Sequence, residues 1–149
     1  MKKILMPAIL LLIVSGFYVG NTVLAEYVEK EAVKVPLEAY LKGHETGKPE
    51  YMQKAFHTDG KLMFIRDGNY TTIEFKDYIG RMNGQPAKDE ANRKRYIESV
   101  DISGNAAVGK IVLDYPNARF VDYMSLLKID GEWKIVNKTF NVEPKNSSD

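Results

Sequence analysis

The sequence contains no cysteine. Disulfides, thiol nucleophiles and thiolate metal sites are therefore excluded, and stability has to come from packing. Imidazole is scarce as well: His44 and His57 are the only histidines, and they form neither a His-x-His nor a His-x-x-x-His pair. That spacing argues against a dedicated transition-metal site, and no cofactor is expected. The chain has no glycine-rich phosphate loop, no serine–histidine–acid series, no internal repeat and no low-complexity segment. Neither sign of charge dominates, with 21 basic against 20 acidic residues. The densest basic spot, Arg93-Lys94-Arg95, is flanked by Asp89, Glu90 and Glu98. It reads as a solvated strand entrance rather than a phosphate site, and the near-neutral balance argues against nucleic acid as a partner.

A long apolar run occurs once, at the start. Lys2 and Lys3 precede an almost continuously apolar stretch from Ile4 to Val19, broken by Pro7, Ser15 and Gly16. Thr22-Val23-Leu24-Ala25 then places short residues before Glu26. This is the layout of a secretory signal peptide cleaved after Ala25. The run is shorter than the roughly 20 apolar residues of a membrane span, and no lipid-accepting cysteine comes after it. Residues 1–25 are thus expected to be an address, and residues 26–149 one domain of an exported bacterial protein, periplasmic or secreted, with no stable membrane anchor after cleavage. Cleavage removes two lysines and no acid, which leaves the mature balance slightly acidic.

Beyond Glu26 the chain is helical first and extended later. Val33, Leu37, Tyr40 and Leu41 recur at helical spacing. Pro36 predicts a kink or restart near Val35, because an interior proline costs about 3 kcal/mol. Gly43 and Gly47 end this segment, and Pro49-Glu50 opens a second short helix that buries Met52, Ala55 and Phe56. His57 to Gly60 reads as a turn, and Asp67-Gly68 as the tip of a hairpin joining 61–66 to 69–73. Thr71 with Glu74 suggests a capping box for a third helix carrying Phe75, Tyr78, Ile79 and Met82. From Arg93 onward the period falls to two, giving strands over 94–102, 106–115, 118–129 and 132–141. Their short links demand antiparallel neighbours. Helices early and strands late imply an α+β layer fold, with helices on one sheet face.

Three motifs carry a family resemblance. Leu37-Glu38-Ala39-Tyr40-Leu41-Lys42-Gly43, then Ala55-Phe56-His57, then Asp130-Gly131-Glu132-Trp133-Lys134-Ile135, in this order and spacing, resemble the nuclear transport factor 2-like superfamily. The nearest branch is that of exported bacterial proteins described as putative lumazine-binding. The resemblance spans residues 28–141. It implies a cone-shaped, curved antiparallel sheet packed on N-terminal helices, the cystatin-like roll, with a pocket inside the cone. It implies no single chemistry, since folds of this kind host many functions.

Five residues are candidates for a ligand site. Tyr40 and Tyr78 lie on helix stripes, and a phenol joins apolar bulk to a hydrogen-bonding tip suited to a flat heteroaromatic ligand. Ordinary core packing is the alternative for both. His57 has two readings: a titratable group at the pocket mouth, or an imidazole that caps the helix and fixes the turn to Asp59. Asp122 depends on parity. If the even residues of 118–129 face inward, Asp122, Met124 and Leu126 enter the cone together, and Asp122 becomes the candidate catalytic base, as in the related ketosteroid isomerases. If the odd residues do, Asp122 meets water or a strand neighbour. Asn137 shares its parity with Trp133 and Ile135, so a core-facing amide is expected there.

Three functions fit these features. The first is an exported protein that binds a small, partly aromatic molecule inside the cone. The second is an enzyme of proton transfer, ketosteroid-isomerase-like or cyclase-like. The third is a protein-interaction module, because apolar residues occupy both parities of 106–115 and 118–129 and predict a homodimer through the outer sheet face.

Overall fold

In the computed structural model, residues 8–145 are described, with side chains from residue 23 onward. The signal-like start at Met1–Pro7 and the tail beyond Lys145 lie outside the described residues. The chain divides into two units, Met1–Glu31 and Ala32–Asp149. In the first, Val23, Leu24, Tyr27 and Val28 are exposed. No helix among the described residues is long and apolar enough to cross a membrane. The second unit holds the sheet and the shorter helices.

The first helix, α1, is assigned without a break over Ala8–Thr46, and Pro36 lies inside it. The expected restart near Val35 does not occur. Pro36 is buried beside Val33, Leu37 and Tyr40, so tertiary packing outweighs the lost backbone hydrogen bond. The helix ends as expected at Gly47, whose N–H still bonds the Gly43 carbonyl at 2.9 Å and whose positive φ of 69° then turns the chain out of the helix. Helix α2 (Pro49–Ala55) begins on its proline and buries Met52 and Ala55.

Six strands form one sheet in the order β2-β1-β6-β5-β4-β3, curved and not closed into a barrel. They are β1 (Phe56–Arg66), β2 (Asn69–Glu74), β3 (Lys94–Ser103), β4 (Ala106–Asp114), β5 (Ala118–Ile129) and β6 (Glu132–Pro144). The four late strands fall where period-two patterning puts them, and they pair as the expected antiparallel meander. The β1–β6 pair is parallel, a long-range pairing that no local turn signal announces. His57 to Gly60 is not a free turn: it lies within β1, at an irregularity between Phe56 and Lys61. Asp67 and Gly68 make the hairpin tip with φ of 52° and 76°. Helix α3 (Phe75–Ile79) has Glu74 at its N-cap with no side-chain cap. Thr71 is in β2 and bonds Asn69 instead, so the expected capping box is absent.

One face of the sheet packs on the helices. Leu37 lies so close to β4 that a Cβ on Gly109 would stand 2.7 Å from Leu37 Cδ1. Glycine there lets helix and strand approach. Val33, Leu37, Met52, Ile111, Met124, Leu126, Trp133 and Ile135 form the centre of a continuous core.

Candidate functional site

The parity of β5 is settled by burial. Asp122, Met124 and Leu126 are buried, whereas Tyr123 and Leu127 on the other parity are exposed. Even positions therefore face inward. On β6 the inward parity changes along the strand. Leu126 pairs with Ile135, but Ser125 pairs with Asn137, so Val136 is an extra residue that forms a bulge. Before the bulge Trp133 and Ile135 face the core; after it Lys138 and Phe140 do.

This shift corrects the expectation for Asn137. Residues opposite one another across a sheet share a face, and Asn137 stands opposite the exposed Ser125. Its Oδ1 is shielded from solvent without a hydrogen-bond partner among the described residues. It does not line the inner cavity. Lys138 takes the inward place, and parity counting across an unseen bulge missed it.

Inside, three polar side chains meet. The Tyr40 hydroxyl donates to Asp122 Oδ2 at 2.6 Å. The Lys138 ammonium donates to Tyr40 Oη at 2.6 Å and to Asp122 Oδ2 at 2.9 Å. All three residues are buried. Burial, reinforced by the Asp122 charge, raises the Tyr40 pKa well above its ordinary value, so the phenol keeps its proton. Burial lowers the Lys138 pKa, while Asp122 opposes that shift through its charge and hydrogen bond. The second carboxylate oxygen, Oδ1, has no hydrogen-bond partner among the described residues.

His44 joins a second cluster one helical turn beyond Tyr40. Their rings meet edge to face with centroids 4.6 Å apart. Tyr78 Oη lies 3.0 Å from His44 Nε2, and Tyr115 Oη lies 3.4 Å from Nδ1. Burial, then the nearby Lys138, Arg95 and Arg93 charges, hold the imidazole pKa well below its usual range. A neutral ring accepts at one nitrogen and donates at the other. Arg95 Nε donates to Tyr115 at 3.1 Å and its guanidinium grips Glu90 through two hydrogen bonds, which ties this cluster to the start of β3. His44 continues the Val33–Leu37–Tyr40 stripe. The i+4 spacing from Tyr40 was the signal that could have found it.

A cavity of about 370 Å³ opens beside these groups. Leu62, Phe64, Phe120 and Phe140 are among its apolar walls; His44, Tyr78, Tyr115 and Lys138 supply polar atoms; Arg66 and Arg81 are also in the lining. Phe64 and Phe140 touch with centroids 4.5 Å apart. The volume lies within the range of small-molecule sites. Tyr78 and Lys138 line the cavity, while Tyr40 and Asp122 stand behind Lys138 and reach it through their hydrogen bonds. The expected meeting of Tyr40, Tyr78 and Asp122 is thus bridged by Lys138 and His44. His57 does not line the cavity, contrary to the pocket-mouth reading. It is half-buried, and its Nδ1 accepts the Asp59 N–H at 3.2 Å, fixing the local turn of β1. The helix cap position itself belongs to Phe56.

The family described as putative lumazine-binding matches residues 28–141. The chain belongs to this family. Solved structures place the putative lumazine-binding fold within the nuclear transport factor 2-like group. A nuclear transport factor 2-like protein of unknown function from Methylobacillus flagellatus is 30% identical, covers 77% of this chain and 92% of its own, and has a TM-score of 0.67. A second, from Shewanella baltica, is 25% identical, covers 80% and 97%, and has a TM-score of 0.71. A curated relative, aldolase FrzH of Cladobotryum sp, is 24% identical over 119 residues, spanning 78% of this chain and 94% of that protein. The shared fold, together with the cavity of this chain, suits binding of a small molecule.

Proposed function

We propose that this member of the putative lumazine-binding family is an exported protein that encloses a small, flat, partly aromatic molecule in the cavity between α1, α3 and the inner sheet face. The observation that carries this reading is the pairing of aromatic walls, Phe64, Phe120 and Phe140, with a few fixed polar groups, Tyr78, His44 and Lys138. Apolar walls supply affinity by burial, and the polar atoms fix orientation. Lys138 is the polar anchor, held in place by Tyr40 and Asp122. The signal-like start supports export. Val108, Tyr123 and Leu127, exposed on the opposite sheet face, support a homodimer through β4 and β5.

A second reading makes the same site an enzyme of proton transfer. Its support is the unpartnered Oδ1 of buried Asp122, linked through Oδ2 to a phenol and an ammonium, together with likeness to a protein named as an aldolase. In this reading Asp122 holds the proton balance of Lys138 and Tyr40, and Lys138 meets the substrate, because the acid does not line the cavity.

Native mass spectrometry of the protein expressed with its leader tests the first reading. The expected spectrum shows a dimer of chains beginning at Glu26 with a retained small molecule. A chain that takes up no ligand, even from a library of aromatic metabolites, would overturn the binding reading. A lone monomer would overturn the dimer, and an uncleaved chain the export.

A further inference from the structure

The chain has five arginines, and their partners divide them into two groups. Arg93 pairs with Asp89 at 2.9 Å, Arg95 with Glu90 at 2.5 Å and Arg119 with Glu143 at 3.1 Å. Arg66 and Arg81 have no acid partner among the described residues, and these are the two that line the cavity. The lining contains no acidic side chain. Its third cation, Lys138, is already neutralised by Asp122. Arg66 comes after Leu62 and Phe64 on the inward parity of β1, and its guanidinium lies 4.9 Å from the centroid of the Phe64 ring. Arg81 stands just past α3, three residues beyond Tyr78. Both arginines are exposed, while the phenol, imidazole and ammonium lie deeper. The cavity is therefore apolar and neutral within and positively charged at its rim.

We propose that the cavity takes a ring-bearing molecule that ends in an anionic group, most simply a carboxylate, with the ring among Phe64, Phe120 and Phe140 and the anion between Arg66 and Arg81. The proposal deepens the small-molecule reading and rests on it. Guanidinium is the side chain that matches a carboxylate with two parallel hydrogen bonds. The Phe64 ring beneath Arg66 restricts the side chain and lowers the entropy lost on binding. An anion buried deeper would face the Lys138–Asp122 pair, where the fixed acid repels it. The rim is the place where a second negative charge meets uncompensated positive charge.

Two probes of the same shape separate the claims: 2-naphthoate and its neutral analogue 2-naphthamide, titrated by calorimetry into the full folded domain at low salt. Both are expected to bind, with the carboxylate at least tenfold tighter, the scale of one charge-assisted hydrogen bond. Raising the salt concentration should shrink that preference, because the rim is open to solvent. The double variant Arg66→Gln, Arg81→Gln should erase it, bringing naphthoate affinity down to that of naphthamide. Equal affinities for the two probes in the native protein, or a preference that survives the double variant, would overturn the anion site while leaving the cavity reading intact. Failure of both probes to bind would overturn the cavity reading and this proposal with it.

Discussion

The two ends of the inner sheet face contrast in how they are filled. At one end Leu37, Ile111, Met124, Leu126 and Ile135 pack together with almost no exposed surface. At the other, Leu62, Phe64, Phe120 and Phe140 are equally apolar but surround open space. The bulge at Val136 marks the boundary on β6, and the Tyr40–Asp122–Lys138 cluster begins just past it. Hydrophobicity therefore does not distinguish core from pocket in this protein. The difference lies in what stands opposite. The stripe of α1 fills the closed end with Leu37 and Val33, backs Lys138 with Tyr40, and presents His44 to the open end.

The boundary is the most sensitive place to break this contrast. Lys138→Ala should leave Asp122 buried and unpaired, at a cost of about 3–5 kcal/mol. Asp122→Asn should also destabilise, because it keeps shape but leaves the ammonium without its counter-charge. The pair Asp122→Leu with Lys138→Met should recover most of the loss, since apolar replacements of a buried ion pair are often neutral. Urea unfolding of the three variants checks this, and a double variant as unstable as Lys138→Ala would refute the account.

The two ends should respond differently to truncation. Met124→Ala at the closed end should cost about 2–5 kcal/mol, as a new void opens in a packed core. Phe140→Ala, which only enlarges space already present, should cost less stability and more ligand affinity. Equal losses would mean that the cavity collapses in solution and that the ends do not differ.

The smallest effect concerns acid. The folded His44 has its pKa held well below 6.5, whereas in the unfolded chain it titrates near 6.5. Below pH 6.5 the unfolded state therefore binds more protons, and stability falls as pH falls, by at most about 1.4 kcal/mol per pH unit. Above 6.5 both states are neutral and the contribution is fully present. His44→Gln should flatten this slope between pH 7 and 5, and comparison with His57→Gln, at a half-buried site outside the cavity, isolates it. An unchanged slope in His44→Gln would show that the second cluster is not the source.

Local patterning was enough to find most of the fold. Period-two alternation marks β3 to β6, Gly47 marks the end of α1, and Asp67-Gly68 marks the hairpin, because each is dictated by neighbours in the chain. Sequence also supplied the apolar stripe of α1 that carries Tyr40. Tertiary structure decided the rest. Only the long-range pairing of β5 with β6 reveals the bulge that turns Lys138 inward and Asn137 out. The one hint was the shift of apolar residues from Trp133 and Ile135 to Phe140 and Val142. Pro36 is accommodated inside α1 because packing outweighs propensity. Asp122 becomes an interior acid because a phenol 82 residues away and a lysine 16 residues away supply its hydrogen bonds. A buried charge is tolerated only where such partners converge, and that convergence is a property of the folded chain.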